Sequence, residues 1–319
     1  MALTTKVLIT GGAGFIGSNL ADELIRQGAR VSIIDNFTTG FRENLEEIVG
    51  DFDFIEGDIN DDDAVKKAIE GAEVVFHQAA LPSVPRSVEN PEETHRVCVN
   101  GTLNLLIKAR DAGVRRFIYA ASSSAYGNQP TLPKVETMRP DPLSPYAVAK
   151  LTGEHYLRAF NSVYGLETFS LRYFNVFGPR QNPSSMYSGV ISRFIDALMT
   201  GLQPVIYGDG EHSRDFTYIT NVVDANIKAA QATQGIGETI NVANGDRITL
   251  NALLEVLKNI TGTTGVTADY QPPRSGDVRD SQADNKRAKE WLSYTQLVGL
   301  EEGLKRTIDW WKGSQFAIS

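Results

Sequence analysis

Thr10-Gly11-Gly12-Ala13-Gly14-Phe15-Ile16-Gly17, placed directly after the apolar run Lys6-Val7-Leu8-Ile9, decides how the rest of the chain is read. Its glycines satisfy both the G-x-G-x-x-G and the G-x-x-G-x-x-G spacings. Glycine there permits a tight strand-to-helix turn, lets a pyrophosphate approach the backbone and brings the helix against the sheet; the helix N-terminus then faces the anion. Gly11, Gly14, Phe15, Ile16 and Gly17 are therefore the candidate dinucleotide cradle. Asp35 follows 18 residues past Gly17, at the end of the next apolar run, where a carboxylate can accept both hydroxyls of an adenosine ribose. The same charge repels a 2′-phosphate, so NAD is favoured over NADP. Asn36 beside it, Asp58 and Ile59 after the third apolar run, and Ala79-Ala80 after the fourth complete the expected cofactor groove. For Asp58 alone, an N-cap of a helix over residues 60–70 is an equal reading.

Outward from this turn, strand-length apolar runs alternate with amphipathic stretches. The runs are Val7–Ile9, Arg30–Ile34, Phe52–Glu56, Glu73–Phe76, Arg116–Ala120 and Thr168–Arg172; the helices are Ile16–Gln27, Asp63–Glu70, Glu92–Ala112 and Pro145–Tyr164. Such alternation predicts an α/β fold with a doubly wound parallel sheet of the Rossmann type. After Asn175, Gly and Pro punctuate shorter elements, with helices expected at Val190–Thr200, Val222–Ala232, Leu250–Asn259 and Leu300–Trp311. The chain is thus read as a dinucleotide-binding domain over residues 1–175 and a smaller C-terminal α/β substrate-binding domain over 176–319, with interleaved segments.

Thirty-one Lys and Arg against 39 Asp and Glu leave a formal charge of −8 over 319 residues, which disfavours nucleic-acid or anionic-membrane partners. With 41% hydrophobic and 22% charged residues the chain can bury a sizeable core. The single Cys98 excludes a disulfide framework and fits a reducing cytoplasm. Four histidines without a short ligand spacing argue against zinc, so no metal is expected. No signal peptide is read before Lys6, and no apolar run approaches the ~18 residues of a membrane span.

The catalytic pattern is Tyr146-Ala147-Val148-Ala149-Lys150, preceded by Ser122-Ser123-Ser124 after the fifth strand. On a helix, positions i and i+4 share a face, so Lys150 is expected near the Tyr146 phenol, lowering its pKa from about 10 toward the working range. A phenolate there can remove a proton from a sugar hydroxyl. Three hydroxyls beside a dinucleotide site would be costly to bury without partners.

Thr10–Gly17, Ser122–Gly127 and Tyr146-x-x-x-Lys150 resemble the extended short-chain dehydrogenase/reductase family. His77-Gln78-Ala79-Ala80, Tyr173–Gly178 and Ser213-Arg214-Asp215-Phe216 are similar to its nucleotide-sugar epimerases. Val84–Ser87, Ala121–Gly127, Leu132–Glu136 and Phe174–Gln181 most resemble the bacterial UDP-N-acetylglucosamine 4-epimerases. The resemblance implies that Tyr146 is the base at the sugar 4-hydroxyl, that Lys150 holds the nicotinamide ribose, and that Tyr173 adjoins the cofactor. Ser122 matches the catalytic hydroxyl, with Ser123 and Ser124 beside it on the sugar; one sequence does not order the three. Asn175, Val190, Tyr207, Arg214, Arg274 and Asp277 correspond to contacts on the UDP-sugar, the two arginines on its phosphates. At the position of Ser281, relatives restricted to unmodified UDP-glucose and UDP-galactose carry a bulky tyrosine, so Ser281 implies room for a 2-acetamido group. The resemblance also implies a homodimer paired through helices around residues 92–112 and 145–164, with Cys98 packed inside the first.

Three rivals are weighed on the same residues. Dehydratases and decarboxylases of this fold carry an acidic residue after the catalytic hydroxyl, where this chain has Ser123, Ser124 and Ala125. UDP-glucuronate epimerases resemble a branch with Thr in place of Asn175 and Arg in place of Asn182. A non-enzymatic NAD sensor typically lacks the Tyr/Lys pair that this chain keeps.

Overall fold

The computed structural model describes residues 4–182, 189–273 and 278–314. Seven strands form one sheet: β1 (Lys6–Thr10), β2 (Arg30–Asp35), β3 (Phe52–Glu56), β4 (Val74–His77), β5 (Arg116–Ser122), β6 (Glu167–Tyr173) and β7 (Thr239–Val242). All neighbours are parallel, in the order β7-β6-β5-β4-β1-β2-β3, so the winding reverses between β1 and β4. Helices cover both faces, which is why the first strand is apolar on both: Val7 and Ile9 enter one core, Leu8 the other. The expected doubly wound fold is the observed one.

The helix Phe15–Arg26 buries Gly17, Leu20, Ala21 and Leu24, a stripe at helical spacing. Asp62–Ile69 starts where the expected helix does, but its N-cap is Asp61, whose Oδ1 accepts from the N–H of Asp63 and Ala64. Asp58 is therefore not the cap; its carboxylate lies one step upstream and serves other donors. The helix expected over 92–112 is present, with a π-turn inside it. It runs as Pro91–His95, a wide π-turn over Arg96–Asn100 and Gly101–Asp111, with the Gly101 N–H reaching back to the Arg96 carbonyl. Gly101 lies so close to Ile59 that an added Cβ would come within 2.5 Å of its Cδ1. Cys98 is buried in a small cluster with Leu81, Val99 and Ala149, packing as expected.

Beyond Asn175 the chain forms three two-stranded ladders, Val176–Phe177 with Thr217–Tyr218, Ser213–Arg214 with Ile248–Thr249, and Val205–Tyr207 with Asp269–Gln271. Helices Val190–Thr200, Leu250–Thr261 and Leu300–Gly313 flank them. The stretch from helix Ile219–Gln231 through β7 returns to the main sheet, where β7 pairs with β6. Among the described residues no helix is long and apolar enough to cross a membrane.

The helix Pro145–Tyr164 is fastened to β6 by a buried pair. Arg172 donates from Nε to Glu154 Oε1 (2.8 Å) and from Nη2 to Oε2 (2.7 Å), with the guanidinium 4.6 Å from the Tyr126 ring centroid. Arg172→Met leaves Glu154 charged and unpaired in the interior and is expected to cost about 3–5 kcal/mol. Urea unfolding measures it; a loss below about 1 kcal/mol would show the pair to be dispensable.

Candidate active site

The β1-to-helix turn has no room for side chains. Gly11 adopts φ +70°, and a Cβ there would lie 2.7 Å from the Ala79 backbone; one on Gly17 would lie 2.2 Å from the Gly11 carbonyl oxygen. No side chain caps the helix that starts at Phe15, so its first N–H groups face the space above the turn. Asp35, at the end of β2, accepts from Ala13 N–H at Oδ2 (2.9 Å) and Phe37 N–H at Oδ1 (2.8 Å). A carboxylate has about four acceptor sites, so this leaves two for a diol. Burial pushes its carboxyl up, against the N–H groups of Phe37, Ala13 and Asn36 that favour the charge. Asn36 Nδ2 donates to Asp58 Oδ2 (3.3 Å), which Arg96 also meets at 3.2 Å; burial opposes the Asp58 charge, but Asn60 and Arg96 prevail and hold its pKa down. Ile59 is buried behind this pair, and Ala79 and Ala80 line the far side at the end of β4. An anion cradle that any Cβ would fill, next to a half-used carboxylate, fits a dinucleotide with a free ribose diol.

Ser122 ends β5 and opens a tight turn over Ser123–Tyr126; Ser124 donates to the Ser122 hydroxyl from both its N–H (3.2 Å) and its Oγ (2.9 Å). Tyr146 sits in the first turn of the helix Pro145–Tyr164, which starts there because Ser144 accepts the Ala147 N–H and Pro145 takes a position that needs no donor. The Ser122 hydroxyl is near enough to the phenol to favour its charged form. Lys150 corrects the sequence expectation: its ammonium donates to the Ala120 carbonyl (2.8 Å) and lies 4.8 Å from the Tyr119 ring centroid. Burial, with the Cys98 thiol adding to it, pushes the Tyr146 pKa up and outweighs the lowering influence of the Ser122 hydroxyl. Lys150 lies one turn from Tyr146 on the same helix, and the carbonyl of Ala120 in β5 takes up its ammonium. Burial also lowers the Lys150 pKa, against the Cys98 and Glu154 terms.

Behind these groups lies a hydrogen-bond chain that sequence reasoning missed. Ala79 N–H donates to Thr10 Oγ1 (3.2 Å), and Thr102 Oγ1 donates to the Cys98 carbonyl (2.8 Å). With its proton committed, Thr102 accepts from His77 Nε2–H (2.9 Å), so His77 Nδ1 is bare and accepts the Thr10 hydroxyl proton (2.7 Å). His77 is fully buried and neutral; burial first, then Lys150, drives its pKa well below the ordinary value. The chain ties the glycine turn to the π-turn that carries Cys98. A second network joins Tyr173, Gln78 and Asn226: the Tyr173 hydroxyl is 3.0 Å from Asn226 Oδ1, which also accepts from Gln78 Nε2 (3.1 Å). The polar residues at the strand ends are visible in sequence, but Asn226 comes from a helix 148 positions from Gln78 and has no local signal.

On the substrate side, Asn175, Val190, Tyr207 and Arg214 line one cavity of about 220 Å³, with Gln181 and Arg193. The Arg193 guanidinium lies 5.7 Å from the Tyr207 ring centroid, and Arg214 Nη1 is held by the carbonyls of Ser213 (3.0 Å) and Arg279 (2.9 Å). Asn175, at φ +32°, donates from Nδ2 to the Asp215 carbonyl (2.9 Å) and the Ser281 hydroxyl (3.2 Å). Arg274 and Asp277 lie outside the described residues.

Two outcomes follow. Gly17→Ala should abolish NAD retention, read as nucleotide released on denaturing the purified protein; retention at the wild-type ratio would break the cradle assignment. The depressed His77 pKa adds stability that is present above the unfolded value of about 6.5 and lost as pH falls through it, because the unfolded state then binds the extra proton. Nitrogen NMR should show the Nε2–H tautomer without titration at pH 6, and His77→Asn should flatten the acid limb of the stability profile.

The sequence pattern of the NAD dependent epimerase/dehydratase family matches residues 7–243. The UDP-glucose 4-epimerase of Mycolicibacterium smegmatis is 38% identical over 96% of this chain and 98% of its own. A Thermotoga maritima UDP-glucose 4-epimerase crystallised with UDP-glucose superposes with a TM-score of 0.92, at 40% identity over 97% of this chain and 99% of that one. A UDP-N-acetylglucosamine 4-epimerase from Methanobrevibacter ruminantium, in complex with UDP-N-acetylmuramic acid, gives 0.92 at 38% identity over 97% and 98%. The glycine turn, Asp35, Ser122, Tyr146 and Lys150 thus stand on a fold shared over nearly the whole chain with these enzymes, and the chain belongs to the NAD dependent epimerase/dehydratase family, with NAD as its cofactor.

Proposed function

We propose that the protein reversibly inverts C4 of UDP-hexoses, both the UDP-GlcNAc/UDP-GalNAc and the UDP-glucose/UDP-galactose pairs, through a transient 4-keto sugar. The observation that carries this reading is the Ser122 hydroxyl at the end of β5, close enough to Tyr146 to favour the phenolate, followed by a turn that holds no carboxylate. NAD, which the glycine turn and Asp35 would hold, would supply the acceptor and then the donor of the C4 hydride, so that net redox change would be zero. Tyr146 accepts the O4 proton, and Ser122 orients the phenol and the sugar hydroxyl. Lys150, fixed by the Ala120 carbonyl, presents its ammonium to the nicotinamide ribose. Arg214 and Arg193 hold the diphosphate while the keto sugar turns its other C4 face to the hydride donor, with O4 still within reach of the same base. A single base on one side then serves both directions.

Ser281 supports acceptance of acetylated sugars: its side chain is short, and its hydroxyl is turned to Asn175. The UDP-glucuronate and elimination readings lack the residues that distinguish those branches. A homodimer is part of the proposal. Val148 (50% exposed), Val163 (69%) and Tyr164 (51%) leave apolar surface on the helix Pro145–Tyr164 that a second copy would cover.

Tyr146→Phe should lower kcat by a factor on the order of 10² or more with bound NAD retained. An undiminished rate would remove Tyr146 as the base. Ser281→Tyr should abolish turnover of UDP-GlcNAc while UDP-glucose is still converted; equal loss for both sugars, compared as kcat/KM, would refute the size argument.

A further inference from the structure

Asp215 is the only carboxylate among the described residues with no exposure at all, and no cation among them pairs with it. Burying a charge without a counter-ion is expensive unless hydrogen bonds replace its water. Its partners are three main-chain N–H groups from two segments that are remote in sequence. Oδ1 accepts from Asn244 (3.0 Å), and Oδ2 accepts from Gly245 (3.0 Å) and Ala283 (3.1 Å). Burial pushes its carboxyl up, to about 7, while those three donors hold it down and the nearby Asp246 adds to the rise.

The peptide of the same residue reaches the substrate cavity. The Asp215 carbonyl accepts from Asn175 Nδ2 (2.9 Å), and its N–H donates to Ser281 Oγ (3.4 Å). Ser281 in turn accepts from Asn175, and the preceding residue is Arg214. One residue therefore joins the end of β6, the Ser213–Arg214 strand, the turn after β7 and the segment around residue 281. The chemical requirement is specific: three donors converging on two oxygens need a carboxylate, because an amide of the same shape offers one acceptor oxygen and turns an N–H₂ toward donors.

We propose that Asp215 is a positioning residue for the sugar-nucleotide site, fixing the mutual placement of Asn175, Arg214 and Ser281 and so setting the affinity for UDP-sugar without touching the base or the NAD cradle. This rests on the reading that the cavity takes a UDP-sugar. A residue that only stabilised the fold would affect kcat, KM and cofactor retention together; Asp215 should separate them.

The test uses holoenzyme with bound NAD. Asp215→Asn should raise KM for UDP-glucose and UDP-GlcNAc by about tenfold or more, the effect of a lost hydrogen bond to a charged group. Both kcat and NAD per chain should stay within about twofold of wild type. An unchanged KM, or a fall in kcat alone, would overturn the proposal. If Asp215→Asn does not fold, Ser281→Ala removes the hydroxyl that links the Asp215 peptide to Asn175; a KM rise of about threefold supports the proposal and no rise overturns it. Calorimetry with UDP alone separates the two readings. Wild type that binds UDP more tightly than Asp215→Asn, yet epimerises nothing, refutes the epimerase while the positioning role stands. No UDP binding to wild type refutes both.

Discussion

Between β1 and β4 the backbone of Gly11 passes so close to Ala79 that no side chain fits between them. This contact is the constraint around which the catalytic half is arranged. It lies where the winding of the sheet reverses, so the loops from the two central strands diverge and open a crevice at their carboxyl ends. Because Thr10 and His77 end those strands side by side, one buried hydroxyl–imidazole–hydroxyl chain can carry the spacing across to the π-turn. The cradle, the ribose carboxylate and the Ser122 turn are then fixed relative to one another by paired strands. None of them depends on a free loop.

The substrate side is built on a different principle. Its ladders are two or three residues long and cannot hold a site by main-chain pairing alone. Side chains that bond main-chain groups replace them: Asn175 on the Asp215 carbonyl, Asp215 on three amides, and Asn221 on the Val298 carbonyl and the N–H groups of Leu297 and Val298. Such a scaffold keeps polar residues at a fixed spacing while leaving space for a ligand between them. In a chain of net charge −8, Arg214, held by main-chain carbonyls, and Arg193 place positive charge locally at the cavity.

Much of the sheet was legible in the sequence because its signal is local. Six apolar runs and a glycine turn each carry their own period, and the strands fall within about two residues of those runs. The errors arose where the deciding partner is distant or is main chain. Nothing in Arg96–Asn100 announces a π-turn; Gly101, which closes it, packs against Ile59 some forty positions earlier. Asp58 and Asp61 are equivalent in composition, and only chain direction makes Asp61 the cap. Lys150 was placed on the right face, but the Ala120 carbonyl that captures it belongs to another strand. Asp215 looks like any acid in an acidic chain, because amide donors leave no mark in sequence.

The position of β7 bears on how the chain is made. Its partner β6 ends at Tyr173, and β7 begins at Thr239, so during synthesis the open edge of β6 waits for more than sixty further residues. An unpaired parallel edge rich in apolar side chains is a site for wrong pairing between nascent chains. Asn241 within β7 also receives the Tyr126 hydroxyl and donates to the Lys134 carbonyl, so the segment that follows the catalytic serines stays unfastened over the same interval. The last strand of the sheet is thus also the anchor of the segment around Tyr126 and Lys134, and both must wait for the same late stretch of chain.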